Sequence, residues 1–599
     1  MTQQIRLSQF VITYGPGAII EGTEGPRVIP RSDIGLFTHA SGLVPLDYDV
    51  SDQRMTQGLL GGARICRLPS NAELGFMENY YIYRTNPFPE WKLCLNAKGH
   101  GRDLYVLYHG YGCPVCRSAD RKGREAIRFI KACPNGHMDE IDWYVLAHGF
   151  KSSCQHSEWF LWRGGGGTLS NIQVECPKCG SRRFTLGWAY GRNWSCSGRF
   201  PETEPARSSP HRPGCDRDAK IIQRQASNLR IPELLTLFSI PPRYTRLHNL
   251  LQVRPIYDII AGVDLSSRNQ LEDILCKLKQ RNLVSGSTVA EVLQYPWPEI
   301  KRAIQDVLAP VPTSYHDLIL EEFHALVEGS VKGIPPSRAP TPQSPVVIEI
   351  NPNFVRRFTG MKGTCLRLTP VLRLRTVTVQ RGYRRAVDTR ILPRLVDVAF
   401  PDPTNPQQKW YPGVEFLGEG IFVIFDDNEG WDFKATGEAA DKWMNAFSNP
   451  LPYPHHIFRD PTVREELHPI FVWWHTLCHL LIRGIATEAG YSSAAIRERI
   501  YFESEDSRTR GGALLYATQP GSEGTLGGLI ALVPYFQDIL DIAFEQLRIC
   551  SSDPLCSEQK FQTGSYNGAA CYGCLLLSET SCEHRNMWLD RSVVLENLP

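Results

Sequence analysis

The stretch LRLTPVLRLRTVTVQ, residues 366–380, alternates apolar and polar side chains or runs apolar over a length that suits a strand. The same habit marks VVIEI (346–350), RLVDVAF (394–400) and GIFVIF (420–425), so residues 346–430 are expected to contain a sheet. Upstream, GIPPSRAPTPQSP (333–345) has the proline density of a linker. Before it, IPELLTLFSI, LEDILCKLKQ, AIQDVLA and YHDLILEEFHALVEG repeat apolar residues every three or four positions, which predicts helices from about Ile231 to Val327. Downstream, GEAADKWMNAF and HPIFVWWHTLCHLLIRGIATEAG predict further helices, while turn-rich pieces such as GPGAII and LLGGARI give the first hundred residues a mixed character.

A chain of 599 residues is too long for one core and suggests about four domains. The reading is a multidomain α+β protein with zinc-knuckle modules in a mixed N-terminal half. Its segments are a mixed region at 1–110, a cysteine-rich region at 111–220, a helical region at 221–335, a β-rich basic region at 346–460 and a zinc-binding C-terminal domain at 461–599. Neither a membrane span nor a secretory signal is legible, so a cytoplasmic protein is expected. In that compartment 18 cysteines point to metal rather than disulfides.

Eight cysteines fall between Cys113 and Cys215 and five between Cys550 and Cys582; the other five stand singly and read as core residues. Cys113-Pro-Val-Cys116 and Cys176-Pro-Lys-Cys179-Gly are knuckles, in which two intervening residues let both thiolates of a tight turn face one tetrahedral ion. Cys196 and Cys215 are expected to complete the second, and Cys133 and His137 the first, with Cys154 and His156 as competing ligands. At the C-terminal end Cys571 and Cys574 form a third knuckle, joined by Cys582 and Cys556, with Cys550 a spare and His584 a competitor. About three zinc ions follow. At the C-terminal site four thiolates leave zinc no open position, so that site reads as structural. Buried free thiols are the bland alternative.

His475 and His479 share the i, i+4 spacing of zinc proteases, but Thr476 stands where their glutamate belongs, so packed or partner-facing histidines are the preferred reading. No GxxxxGK[ST] phosphate loop is present, and no ordered catalytic motif emerges. Between Phe354 and Arg394 there are eleven basic residues against one acidic, Asp388, in a chain whose total is only +2. Arg356, Arg357, Arg373, Arg375, Arg381, Arg384 and Arg385, with Phe354, Phe358 and Tyr383 among them, are candidates for a nucleic-acid strand. A solvated strand face or a surface for an acidic protein would carry the same charge.

Six stretches then resemble one family as a set: RLSQFVITYGPGAII (6–20), ACPNGHMDEIDW (132–143), VQRGYRR (379–385), HTLCHLLIRGIATEAGYSSAAIRERIY (475–501), SEGTLGGL (522–529) and NGAACYGCLLLSETSCEHRNMWLDR (567–591). They are similar to the DrmB family of the DISARM anti-phage defence system, and the last third resembles the MrfA-type zinc-binding domain of certain repair helicases. The resemblance implies a chain that forms a heterodimer with a separate superfamily 2 helicase, DrmA-like, and acts with it on invading DNA. It maps the family's cysteine motif onto Cys556, Cys571, Cys574 and Cys582. The expectation is a non-catalytic subunit. The alternatives are a metal-dependent nuclease using His475, His479 and Glu488 or Glu498, and a scaffold that touches only protein.

Overall fold

The computed structural model describes residues 4–598 except 23, 37–44, 51, 78–79, 101–103, 118–122, 165–166, 206–209, 241–245, 252, 309–311, 337–347, 360–364, 389, 404, 427–433, 450–464, 490–491, 506–507, 521–527, 560, 562–565 and 579. The predicted linker beyond residue 336, Lys362 and most of SEGTLGGL therefore lie outside the described residues.

The 366–380 stretch is the middle of a 20-residue strand, Cys365–Arg384, in a sheet of ten strands among the described residues. Its principal order is Ile231–Phe238, Cys365–Arg384, Lys409–Phe425, Arg508–Pro520, Arg497–Glu505, each antiparallel to the next. Alternation along Lys409–Phe425 shows why it sits centrally. Ile421 and Val423 enter a core with the helix Pro469–Ala489, whereas Phe422 and Ile424 enter one with the helix Tyr315–Lys332. Both faces are covered, so polar members such as Thr369, Thr376, Thr378 and Gln380 are buried with the apolar ones.

The helix Tyr315–Lys332 starts where the Ser314 side chain accepts from the Asp317 amide at 3.1 Å and stops at Gly333. Pro469–Ala489 is buried on every side from Phe471 to Ile482. It is long and apolar enough to cross a membrane, yet 83% of its apolar window is enclosed by the rest of the chain. The C-terminal residues lock it: Trp473 Nε1 donates to the Asn597 carbonyl at 2.9 Å, and the Asp590 amide to Thr476 Oγ1 at 3.0 Å.

The structure corrects the expectation for IPELLTLFSI. Ile231–Phe238 is a strand, paired with Cys365–Arg384 through a bulge at Glu233/Leu234. Short apolar runs fit either period, and pairing with a long strand decides in favour of β. The true helical part begins at Arg246–Leu251 and continues to Trp297–Leu308 around its own core of Leu247, Ile256, Leu271, Leu275 and Ile300. The large sheet takes strands from four of the five predicted segments, including Arg64–Cys66 from the first.

Two smaller sheets organise the cysteine-rich region. Gln173–Glu175, Trp159–Arg163, Leu104–Tyr108, Lys92–Cys94 and Arg124–Ala126 form one, in that order; Asn193–Ser195, Asp218–Gln223, Phe129–Ala132 and Met138–Asp139 form the other.

One buried titratable group marks the entry to the long helix. His468 Nδ1 accepts from the Ile470 amide at 3.2 Å, and burial lowers its pKa from 6.5 to about 4. The unfolded chain then binds the proton first as pH falls, so this residue's contribution to stability is complete above about 6.5 and is lost towards pH 4. Thermal melts should show His468→Asn, which keeps an acceptor but does not titrate, losing less stability across that window than the wild type.

Candidate metal centres

Strand ends bring the cysteines together. Cys94 closes one strand, His100 ends the short helix after it, and Cys113 and Cys116 follow the adjacent strand; the four form one group. Cys94 and Cys116 sulfurs are 3.7 Å apart, and His100 Nε2 lies 3.3 Å from Cys113 Sγ. Cys133 follows Phe129–Ala132, Cys196 follows Asn193–Ser195 and Cys215 precedes Asp218–Gln223. Because those strands are neighbours, the three meet His137 in a second group. His137 is delivered by the turn at Gly136, which has φ +88° and donates to the Cys133 carbonyl at 3.0 Å. Its Nδ1 lies 3.3 Å from Cys133 Sγ.

The third group is His148, Cys154, Cys176 and Cys179. The knuckle closes at Gly180, φ +70°, whose amide donates to the Cys176 carbonyl at 2.9 Å. Cys154 and Cys176 sulfurs are 3.9 Å apart. His148 Nδ1 donates to the Tyr144 carbonyl at 3.1 Å, which leaves its buried Nε2, without a hydrogen-bond partner among the described residues, as the atom that can ligate.

In the fourth group Cys550, Cys556, Cys571 and Cys574 converge, with sulfur separations of 3.4 Å (Cys550–Cys571), 3.7 Å (Cys556–Cys574) and 3.8 Å (Cys571–Cys574). A tetrahedral zinc with bonds of about 2.3 Å sets thiolates about 3.8 Å apart, so the donors fit that ion. Burial pushes the Cys574 thiol up to about 11 and Cys556 up as well. At Cys571 burial acts the same way, but hydrogen bonds from Cys550 and Ser552 outweigh it and bring the thiol down to about 6. Only a cation would let all four stand as thiolates together.

These groups differ from the expected ones. Cys113 and Cys116 are joined by Cys94 and His100, not by Cys133 and His137. Cys176 and Cys179 are joined by His148 and Cys154, not by Cys196 and Cys215, and those two instead meet Cys133 and His137. Strand adjacency, not sequence proximity, decides each set. His156 belongs to none of the groups among the described residues; its Nε2 faces the Trp159 carbonyl at 2.8 Å. Cys550, read as a spare, takes the place expected for Cys582, which lies with His475, His479 and Glu498. The sequence reading missed Cys94, His100 and His148. The CLNAKGH spacing of Cys94 and His100 was a usable signal, whereas His148 lies in an otherwise ordinary helix.

The arginines also separate. Arg375 donates to Glu415 at 2.9 Å and to Ser239 at 2.8 Å, and Arg385 to Glu202 at 3.1 Å and the Gly136 carbonyl at 2.9 Å; both are buried. Arg384 donates to Glu233 at 2.7 Å. Arg375, Arg385 and Tyr383 are taken up inside the protein and Arg384 is half-buried, because a sheet covered on both faces turns its polar positions inward. Arg356, Arg357, Arg373 and Arg381 are exposed, as is Phe354, although Arg357 pairs with Asp426 and Arg373 with Glu349. Phe358 packs towards Phe536.

This is an α+β protein with several Cys/His groups suited to zinc, and residues 477–575 match the family described as the MrfA Zn-binding domain. Residues 6–231 match a domain of unknown function, DUF8724. Over 555 residues, 86% of this chain and 89% of its relative, the sequence is 26% identical to the DISARM protein DrmB of Bacillus paralicheniformis. The resemblance to DrmB and the zinc-binding character of the C-terminal part thus rest on independent matches. A solved structure, the DUF1998 helicase MrfA bound to DNA, aligns at 9% identity and a TM-score of 0.20. It covers 43% of this chain, which spans 27% of that helicase, and a likeness so slight carries no weight here.

Proposed function

We propose that this chain is a non-catalytic, zinc-stabilised subunit of a DNA-processing complex in anti-phage defence, which docks a DrmA-like superfamily 2 helicase and contributes contacts to DNA. The similarity to DrmB over 86% of the chain carries the reading. The sequence holds no phosphate loop of its own, so the motor belongs to the partner. A cytoplasmic location suits a protein whose thiols hold metal. Nuclease chemistry fits poorly: His475, His479 and Glu498 are fully enclosed and have no open side for a phosphate, while Glu488 is exposed elsewhere on the helix.

Co-expression with the helicase tests the reading. A stable complex with DNA-stimulated ATP hydrolysis, and none from this chain alone, is expected; hydrolysis by the isolated chain, free of contaminating motor, sinks it. The DNA contact has its own test. Reversing the four exposed arginines, Arg356, Arg357, Arg373 and Arg381, to glutamate should weaken DNA binding by the complex at least tenfold at low salt and flatten its salt dependence. The protein should stay folded by circular dichroism, with only a small fall in melting temperature from the lost surface pairs with Asp426 and Glu349. Unaltered affinity would favour a scaffold that meets only protein.

A further inference from the structure

Four side chains used by none of the cysteine groups meet inside the C-terminal core. His475 and His479 lie one turn apart on Pro469–Ala489, Glu498 is the second residue of Arg497–Glu505, and Cys582 belongs to the final loop; one donor atom from each falls within 4.8 Å of the others. All four are buried, with His475, His479 and Glu498 at 0% exposure.

If nothing lies between them, the protons balance only when His479 carries a buried positive charge. His479 Nδ1 is 2.9 Å from the Leu575 carbonyl and must donate to it. In a neutral ring Nε2 is then a lone pair, yet it faces Glu498 Oε1 at 3.1 Å. The same oxygen lies 2.9 Å from His475 Nε2, which is itself 3.3 Å from Cys582 Sγ. No arginine relieves the carboxylate from the next position, because Arg499 points the other way, to Glu322 at 2.7 Å and Glu583 at 2.8 Å. A histidine with Nδ1–H on a backbone carbonyl and Nε2 turned to an acidic cluster is the arrangement of a metal ligand.

We propose that His475, His479, Glu498 and Cys582 form a second zinc site in this domain, distinct from the group of Cys550, Cys556, Cys571 and Cys574. Two imidazole nitrogens, a carboxylate oxygen and a thiolate suit zinc in type and number. Two neutral rings with a carboxylate and a thiolate carry a charge of about −2, which a divalent ion cancels. Four protein ligands leave no position for water, so the site is structural: it pins the buried helix, the edge strand and the final loop to one point. The two sites touch through the chain, since Leu575, whose carbonyl orients His479, directly follows Cys574. Cys478, one turn from His475, also lies against Glu498 but is not one of the four donors.

Diffraction from crystals of the full chain at the zinc edge tests this without any mutation. An anomalous peak enclosed by the four donor atoms, separate from the peak at Cys571 and Cys574, is expected. Peaks at the cysteine groups with none here would overturn the proposal and leave a histidine–glutamate ion pair. Native mass spectrometry of Glu498→Gln should then show one zinc fewer per chain than wild type; an unchanged number in folded protein would also overturn it.

Discussion

Replacing Cys571 and Cys574 together by serine is expected to release the zinc of that group, and with it the ion proposed at His475, His479, Glu498 and Cys582, to unfold the C-terminal domain and to abolish capture of the helicase. Structural zinc contributes on the order of 10 kcal/mol to folding in small domains, comparable to the whole stability of a typical domain, about 5–15 kcal/mol. The damage spreads because the site is part of the core. Cys556, Cys574 and Leu575 are buried against the same cluster as Trp473, Leu477 and Trp588, and Arg483 donates to the Gly573 carbonyl at 3.2 Å. Limited proteolysis should cut the variant within 461–599 while the N-terminal half resists. Cys276→Ser, an exposed cysteine outside every group, should change neither zinc content nor melting temperature. A double variant that keeps its zinc would contradict the ligand assignment.

The second large effect concerns Arg385. As a surface DNA ligand its loss would weaken binding and leave the fold intact, but the structure assigns it a different task. Fully buried, it donates to Glu202, to the Gly136 carbonyl and to the Leu229 carbonyl at 3.2 Å, and so ties the large sheet to the cysteine-rich region. Arg385→Ala would strand the Glu202 carboxylate and several carbonyls away from water, at a cost of about 3–5 kcal/mol. Gly136 lies inside the Cys133–His137 turn, so the second metal group should loosen too. Thermal denaturation should show a marked fall in melting temperature together with partial zinc loss. A variant as stable as wild type that merely binds DNA less well would show the arginine to be a surface contact after all.

The knuckles were legible because both ligands of each pair sit on one turn, where spacing alone decides which way the thiolates face. Their completions were not, since Cys196 and Cys215 reach Cys133 only through strands that are neighbours in a sheet and distant in sequence. Cys94 stood alone in the chain for the same reason. Ile231–Phe238 shows the parallel limit for the fold: its apolar spacing suits a helix, and the long partner strand that overrides it begins more than a hundred residues later. The excess of arginine at 354–394 was real, but charge in a sequence does not reveal which side chains turn inward to meet Glu202, Glu233 or Glu415. The long apolar helix, the sheet over 366–380 and the zinc character of the C-terminal part could be read because each depends on local pattern.

On the proposed function, separate closed zinc sites hold this chain in the shape a helicase would meet. The zinc content of the purified, folded, wild-type chain, by elemental analysis with protein measured by amino-acid analysis, tests this most directly. At least four zinc ions per chain are expected from the cysteine groups alone. A folded chain carrying fewer than four, or none, would show that the cysteine groups are not all zinc sites.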